Sequence, residues 1–441
     1  MKNLTEGNIY KSFILFAIPI VISGILSQGF NVINSAIAGK YLGEAGRAAI
    51  GCTAGFISFL SSFFWGYTSG VSLRTAMLFG AEDYDAIKRC YRSNLILICT
   101  VSVIVNLLCV IFINPIFTFL KVDPSISADA KSYFIIMVLS NTVLILPNFY
   151  TKFFQALGSS AYPLKISTLI TVLGIALRIV SIVFLGMGVE GIALATAVST
   201  VVGLVFYTRK ASACFKELKI TENVFYDPHE IRATLKLGAP SSLQQCVMYF
   251  ASFIISPTVN ALGKSATAAY SVAQQMYDVN AAIYQNSALT VSNYTAQSVG
   301  AKKYGNLKKG VRVGFIQGLA FLTPVLALSV IFARPICMLF FEEGYVGTSL
   351  DLSLMFVRVF LPFVFFNVKN NLFHNFFRGV KAVNSVFVFT AIGSAARIVS
   401  ALLLADRFGM TGVYSGWAFS WVFEAILITC AYFSGFWKKK L

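Results

Sequence analysis

The sequence predicts an all-α integral membrane protein with about twelve transmembrane helices in two six-helix lobes that repeat in parallel. Three observations predict this fold. Hydrophobic residues make up 57% of the 441 residues and charged residues only 12%, with a mean hydropathy of +0.75. Apolar stretches recur from end to end, and the second half of the chain repeats motifs of the first. A soluble fold, with about 25% charged residues, is excluded.

Twelve apolar stretches are long enough to cross a membrane, which takes about 20 residues for a hydrocarbon core of ~30 Å. They lack the strict alternation of barrel strands, so they are predicted to be helices. The polar start has no convincing cleavage site, and the first span is expected to be retained. The predicted spans are 13–38, 49–79, 94–119, 133–157, 164–185, 189–208, 234–262, 268–299, 311–332, 352–377, 385–405 and 411–436.

The basic residues between the spans predict the orientation. With the N-terminus inside, 22 Lys and Arg fall on inner segments and seven on outer ones. By the positive-inside rule, both termini are predicted to be cytoplasmic in a multi-pass protein of the cell membrane. The net charge of +17 is then mainly a signal for topology and for contact with anionic lipids of the bilayer. No nucleic-acid partner is expected, and we expect a monomer.

Two pairs of motifs show the duplication. "GIALRIVS" at Gly174–Ser181 is answered by "GSAARIVS" at Gly393–Ser400, 219 residues later. "VSLRTAMLFGAEDYDAIKRCYR", from Val71, is answered by "VSNYTAQSVGAKKYGNLKKGVR", from Val291, 220 residues later. Chance does not produce such a series, so each half repeats one ancestral pattern.

Six predicted spans precede a charged segment and six follow it, so both halves enter the membrane in the same direction. We therefore predict an N-terminal lobe over 1–215, a cytoplasmic linker over 216–232 and a C-terminal lobe over 233–441. Parallel repeats of this kind occur in secondary transporters. The spans carry no HExxH, P-loop or other enzyme motif, and no catalytic residue or metal site is predicted.

Charged residues inside the spans mark candidate functional positions, because a charge at the bilayer centre costs at least ~2.5 to 3.5 kcal/mol. The acids there are Asp278 and Glu424, and we rank Asp278 first and Glu424 second as a proton carrier. Some of the bases lie near inner ends, where they can reach the surface. The bases within spans are Arg74, Lys152, Arg178, Arg358, Lys369 and Arg397.

The two arginines of the repeated motif lie at the same depth in their spans. Arg397 has two potential ion-pair partners in its own half, Asp278 and Glu424. The first half has no acid in its spans, so Arg178 must be satisfied by carbonyls, by water, by an acid of the other half or by an anionic ligand. A structural role and a role in contacting cargo both remain open.

Polar side chains at helical spacing form stripes on three spans, which either bind helices together or line a pathway. Gln28 and Asn31 share a face of the first span, with Asn34 beside them. Gln245 and Tyr249 share a face of the seventh span, and Gln274 and Asp278 share one of the eighth.

Several segments together resemble the multidrug and toxic compound extrusion (MATE) family over essentially the whole chain. They are the proline-bearing first span with "QGFNVINSAIAGKYLGE", then "GAEDYDAIKRCYR", "FFQALGSSAYPL", "GMGVEGIALATAVS" and "AQSVGAKKYGNLKKGVR". The resemblance implies two lobes around a central cavity. It also implies alternating-access export of small amphipathic compounds, with a sodium or proton gradient and no cofactor.

This chain departs from the family pattern at the acids. Asn34 stands where the first span of the family usually carries an aspartate, and Gly174 and Arg178 stand where the fifth span carries Asn and Asp. An acid of the seventh span in one branch falls near Met248. The interior is therefore unusually basic, and anionic or zwitterionic cargo is expected. Two alternatives remain: a flippase of an anionic lipid-linked substrate, and a binding or sensor protein that moves no cargo.

Overall fold

The computed structural model describes residues 3–120, 122, 124–218, 220, 226–341 and 346–441; at 31–36, 38–40, 43–48, 54, 119 and 125 it describes the backbone alone. These residues form helices and connecting turns, and no strand occurs among them. The helices are α1 (Ile9–Gly80), α2 (Tyr84–Ile111), α3 (Ile113–Phe119), α4 (Ser127–Ala156), α5 (Ala161–Ile179), α6 (Val189–Glu217), α7 (Pro228–Ala261), α8 (Lys264–Gly300), α9 (Leu307–Ile331), α10 (Ala333–Met338), α11 (Thr348–Met355), α12 (Val364–Gly379), α13 (Val383–Phe408) and α14 (Met410–Phe433).

The helices confirm the predicted fold class. In the described part of the chain, nine helical segments are long and apolar enough to cross a membrane. Two predicted spans include π-helical turns: Val180–Phe184 continues α5, and Phe356–Phe360 lies between α11 and α12. Large apolar side chains such as Phe184, Leu339 and Phe433 are more than three-quarters exposed on the protein surface. Such a surface is suited to lipid rather than water.

The sequence predicts a break between the first and second spans, but the structure shows none. Both predicted spans lie in α1, which is one helical element of 72 residues. At 1.5 Å per residue, its helical path is about 108 Å long, several times what one crossing needs. Polar residues near position 44 predicted a loop. Since no proline follows Pro19 within α1, nothing in the sequence removes a backbone hydrogen bond there.

The chain forms two compact units that do not follow chain order. Among the described residues, unit 1 lies within 26–242, and unit 2 comprises 3–25 together with those of 243–441. Thus the beginning of α1 belongs to unit 2, and the beginning of α7 belongs to unit 1. The lobe boundaries predicted from the sequence describe the duplicated halves and stay a prediction. The compact units differ from these halves, because each unit contains the beginning of the first helix of the other half.

Each unit has an aromatic core. In unit 1, Tyr91 contacts the rings of Phe149, Tyr150 and Phe153, joining α2 to α4. In unit 2, Trp417 of α14 packs edge-on against Tyr277 of α8, with ring centroids 4.7 Å apart. The start of α1 also belongs to this unit, where Phe13 meets Tyr294 at 5.0 Å. Aromatic pairs of this kind add about 0.5–1.5 kcal/mol each beyond their burial.

Within unit 1, α1 and α7 cross at small residues spaced four apart. A Cβ added to Gly66 would lie 2.3 Å from the Cα of Ser242, and one added to Gly70 would lie 2.5 Å from the Cα of Gly238. The Ser242 hydroxyl donates to the Phe63 carbonyl at 2.8 Å. Backbones can approach this closely only where side chains are absent or small. The contacts of Gly66 with Ser242 and of Gly70 with Gly238 therefore hold the beginning of α7 in unit 1.

We expect Gly70→Ala to destabilise the protein by about 1–3 kcal/mol, the usual cost of overpacking, because the new methyl group meets backbone atoms that cannot rotate away. Gly55 is the matched control, since a Cβ there meets nothing within 4 Å. Alanine at that helical position is expected to be neutral or stabilising by up to ~1 kcal/mol. Thermal unfolding of the purified variants in detergent measures both effects, and equal behaviour would contradict the close crossing.

Candidate functional site

Arg178 lies in the last turn of α5, directly before the π-helical segment Val180–Phe184. Its Nη2 donates to Thr196 Oγ1 of α6 at 2.8 Å. One turn earlier, a Cβ on Gly174 would lie 3.1 Å from Ser199 Oγ. The glycine of the repeated motif thus lets α5 approach α6 closely, and this places the half-buried arginine against a hydroxyl of its neighbour.

Arg397, the counterpart in the second half, lies in α13 among aromatic side chains. Its guanidinium carbon is 4.2 Å from the ring centroid of Trp417 on α14. Its Nη2 donates to the Tyr270 hydroxyl of α8 at 3.1 Å. A cation on a tryptophan face gains about 0.5–2 kcal/mol, with the larger values where water is excluded. Arg397 is therefore positioned by neutral partners from two neighbouring helices.

The ion pair considered for Arg397 is absent from the described part of the chain. Neither Asp278 nor Glu424 lies within ion-pair distance of it. Asp278 instead accepts a hydrogen bond from Gln274 Nε2, one turn earlier on α8, at 3.0 Å. The adjacent Tyr277 packs against Trp417 and Trp421. Asp278 and Arg397 therefore have different hydrogen-bond partners.

Glu424 has a partner that the sequence did not indicate. Its Oε1 lies 3.1 Å from His374 Nε2, and the two side chains are 11% and 8% exposed. Asn370 Nδ2 lies 3.4 Å from the other carboxylate oxygen. Glu424 is on α14, and both partners are on α12. A buried histidine and a buried carboxylate therefore meet inside unit 2.

The other predicted positions have less definite surroundings. Gln28 and Gln245 are half-buried, while Tyr249 is 42% and Met248 40% exposed. The side chains of Asn31 and Asn34 lie outside the described residues, so their role as pathway residues stays a prediction. Gln244, the residue before Gln245, has better-defined contacts. It is buried, donates a hydrogen bond to Thr390 and accepts one from Arg378.

Arg74 does not rely on reaching the membrane surface. Its Nε and Nη2 donate to the two carboxylate oxygens of Glu230 at 2.8 and 2.6 Å, within unit 1. Glu230 is 3% exposed and lies in the first turn of α7, where the helix dipole also favours an acid. This bidentate geometry is the strong form of an arginine–carboxylate pair.

Sequence reasoning missed Glu230 and His374 for different reasons. Glu230 falls in the segment predicted as a linker, although α7 begins at Pro228. The dipeptide "DP" before it is a usable signal, because proline favours the first turn of a helix. His374 is not marked by any motif in the sequence. Its partner is 50 positions away on another helix, and no spacing rule connects them.

Comparison with known proteins identifies the family to which the chain belongs. The MatE family model matches residues 19–180 and 240–403, one match in each half. The chain belongs to the MatE family. It is 25% identical over 347 residues to the probable multidrug resistance protein YoeA of Bacillus subtilis, covering 77% of this chain and 75% of that protein. It is 21% identical over 351 residues to the FAD transporter of Shewanella oneidensis, covering 78% and 77%.

The MatE fold is also shared with solved structures. A MOP superfamily transporter from Pyrococcus furiosus, described as having a binding pocket of reversed polarity, aligns over 97% of this chain and 96% of its own. The TM-score is 0.88 and the identity 20%. The chain is thus a multi-pass membrane protein of a transporter family and not an enzyme, as the resemblance in the sequence implied.

In this MatE chain, we expect Glu230→Gln to lower stability by about 3 kcal/mol, the low end for breaking a buried ion pair, because Arg74 is 23% exposed. Asp227→Asn is the control. It weakens a 3.4 Å contact with Arg89 in which both side chains are more than 20% exposed, and such pairs are worth about 0–1 kcal/mol. Thermal unfolding of both variants in detergent tests the difference. Similar losses would show that the Arg74–Glu230 pair is no stronger than a surface pair.

Proposed function

We propose that this chain is a secondary active exporter of small amphipathic organic compounds, driven by a sodium or proton gradient through alternating access. We further propose that its cargo is anionic or zwitterionic. Membership of the MatE family supports transport, and the name of the YoeA relative supports export of diverse compounds. The charge of the cargo is argued from this chain's own residues.

The proposal that the cargo carries a negative charge depends on the surroundings of Arg397. Its described partners are a phenol and an indole ring, both neutral. Its buried Nε–H has no acceptor within the described part of the chain. A guanidinium inside a membrane is costly unless an opposite charge compensates it. An anionic group of the cargo would supply that charge, and the fork of N–H donors suits carboxylate and phosphate.

The aromatic side chains around Arg397 suit the remainder of an amphipathic molecule. Tyr270 and Tyr277 both pack against Trp417, with ring centroids at 6.2 and 4.7 Å. Flat apolar surfaces beside a cation match cargo that combines a ring system with a negative group. FAD, which one relative transports, is a molecule of that chemistry. The description of the Pyrococcus structure as reversed in pocket polarity gives a second relative in keeping with this proposal.

Arg178 is proposed to play the same part in its own half, from its place between α5 and α6. The polar residues Gln28, Asn31, Asn34, Gln245, Tyr249 and Gln274 are proposed to lie along the pathway. Asp278 and Glu424 are the acids available for coupling to an ion gradient. This assignment keeps the two repeated arginines as cargo residues and leaves the acids for the driving ion.

Binding of anions is expected to raise the thermal stability of purified protein. A ligand at about 100 times its dissociation constant adds ~2.7 kcal/mol if it binds only the folded state. Panels of anionic amphiphiles, cationic drugs and lipid pyrophosphates would be compared on wild type, Arg178→Ala and Arg397→Ala. We expect stabilisation by anions in wild type and its loss in both variants. Arg358→Ala is the control, because Arg358 is an exposed base in a span of the same half as Arg397.

Other outcomes identify the alternatives. Stabilisation by cations that both alanine variants retain would contradict anionic cargo and make the arginines structural. Stabilisation by lipid pyrophosphates alone would favour a flippase. Saturable binding without movement of the bound compound in reconstituted vesicles would favour a sensor.

A further inference from the structure

The pair formed by His374 and Glu424 has no role in the cargo site proposed above. Its side chains are 8% and 11% exposed, and Nε2 lies 3.1 Å from Oε1. Glu424 is 14 residues after Met410 and nine before Phe433, the ends of α14. At 1.5 Å per residue it is therefore roughly 21 Å from one end and 14 Å from the other. Glu424 thus lies well within its span, and His374 lies five residues before Gly379, where α12 ends.

Charge balance makes this pair sensitive to a single proton. With one proton between them the two groups are neutral overall, whether imidazolium faces carboxylate or imidazole faces carboxylic acid. Without that proton a carboxylate is left in a buried setting, which is unfavourable unless water or a cation reaches it. Histidine is also the side chain whose protonation changes within the physiological pH range. One proton therefore decides the net charge at this point of the helix bundle.

The polar atoms around this pair can accommodate such a proton. Three buried polar atoms, Asn370 Oδ1, His374 Nε2 and Glu424 Oε1, make no hydrogen bond within the described part of the chain. The nitrogen and oxygen of the pair are close, but they are not aligned as a hydrogen bond. A carboxylic acid proton would provide a donor to this cluster of acceptors, and its loss would leave them facing one another.

The repeated motif provides the space for the carboxylate. A Cβ on Gly393 would lie 3.3 Å from both Cδ and Oε2 of Glu424. The corresponding Gly174 of the first half faces the hydroxyl of Ser199. The same close helix approach therefore holds an acid in one half and a neutral group in the other, so only the second half has this pair.

Three other charges on the packed helices have partners of their own. Arg378, one turn beyond His374, donates to Gln244, while Arg397 and Asp278 are held in the contacts given above. None of them forms an ion pair with Glu424 within the described residues. The titratable or charged groups that these elements contribute around the pair are Lys369 and Arg378 of α12, Arg397 of α13, Tyr414 and Tyr432 of α14, and Tyr277, Asp278 and Tyr284 of α8.

We infer that His374 and Glu424 form the proton-binding site that couples this transporter to a proton gradient. The inference rests on the proposed function. It assigns the coupling ion as the proton and moves Glu424 ahead of Asp278, because Glu424 has a titratable partner. In the cycle, the imidazole–carboxylate pair takes up one proton from the acidic side, becomes neutral and releases that proton on the other side.

The test uses full-length protein in vesicles loaded with carboxyfluorescein, an anionic amphiphile. Efflux is measured with and without an inwardly directed proton gradient, and exchange of the dye is measured without a gradient. We expect the gradient to accelerate efflux by wild type. Glu424→Gln and His374→Gln should lose that acceleration and keep gradient-free exchange, since their shape is nearly conserved. A purely structural role would lower both rates together. Asp406→Asn, at an exposed acid near the end of α13, is the comparison and is expected to retain acceleration.

A second readout does not depend on cargo. Infrared difference spectra of purified protein on acidification should show the C=O band of a newly protonated carboxyl group, and Glu424→Gln should remove it. If wild type moves no dye in either assay, the proposed cargo or function fails, and the infrared band alone decides the proton site. Acceleration retained in Glu424→Gln, or a band that persists in it, overturns the inference.

Discussion

A polar group inside a lipid bilayer has no water to bond, and this constraint explains the arrangement of the interior. Apart from Asp278, which Gln274 of its own helix contacts, the charges in the described spans whose contacts are given above are positioned by side chains of other helices. Arg74 meets a carboxylate, Arg397 meets two aromatic side chains, and Glu424 meets an imidazole. The three solutions differ in net charge. The first is neutral, the second leaves a positive charge, and the third depends on one proton, so only the last two are suited to binding something further.

Packing at small residues makes these polar contacts possible. The glycines at 66 and 70 bring α1 against α7, and those at 174 and 393 bring a helix of each half against its successor. In every case the polar pair or cluster lies within about one or two turns of the glycine. Close helix approach excludes water and shortens the distance that a side chain must reach. Small residues and charged residues therefore act together, which explains why the repeated motif contains both a glycine and an arginine.

The sequence was sufficient for the fold class, because the hydropathy of long runs and the 220-residue repeat do not depend on which helices touch. The sequence was less informative about side chains whose role depends on a contact with a residue on another helix. The pairing of Arg397 with an acid was a reasonable hypothesis by charge alone, yet Trp417, which contacts it, reads in sequence as an ordinary core residue. Glu230 was missed because it falls in the segment predicted as a linker, and His374 because its partner lies 50 positions away on another helix. The continuity of α1 was missed because polar residues were read as a loop without a helix-breaking residue to end it.

The exchanged helix beginnings have a consequence for how this protein is made. Leu4 donates its backbone N–H to Gln297, 293 residues later, and residues 3–25 belong to a unit that otherwise starts at 243. The segment that leaves the ribosome first must therefore wait for its partners until most of the chain has been synthesised.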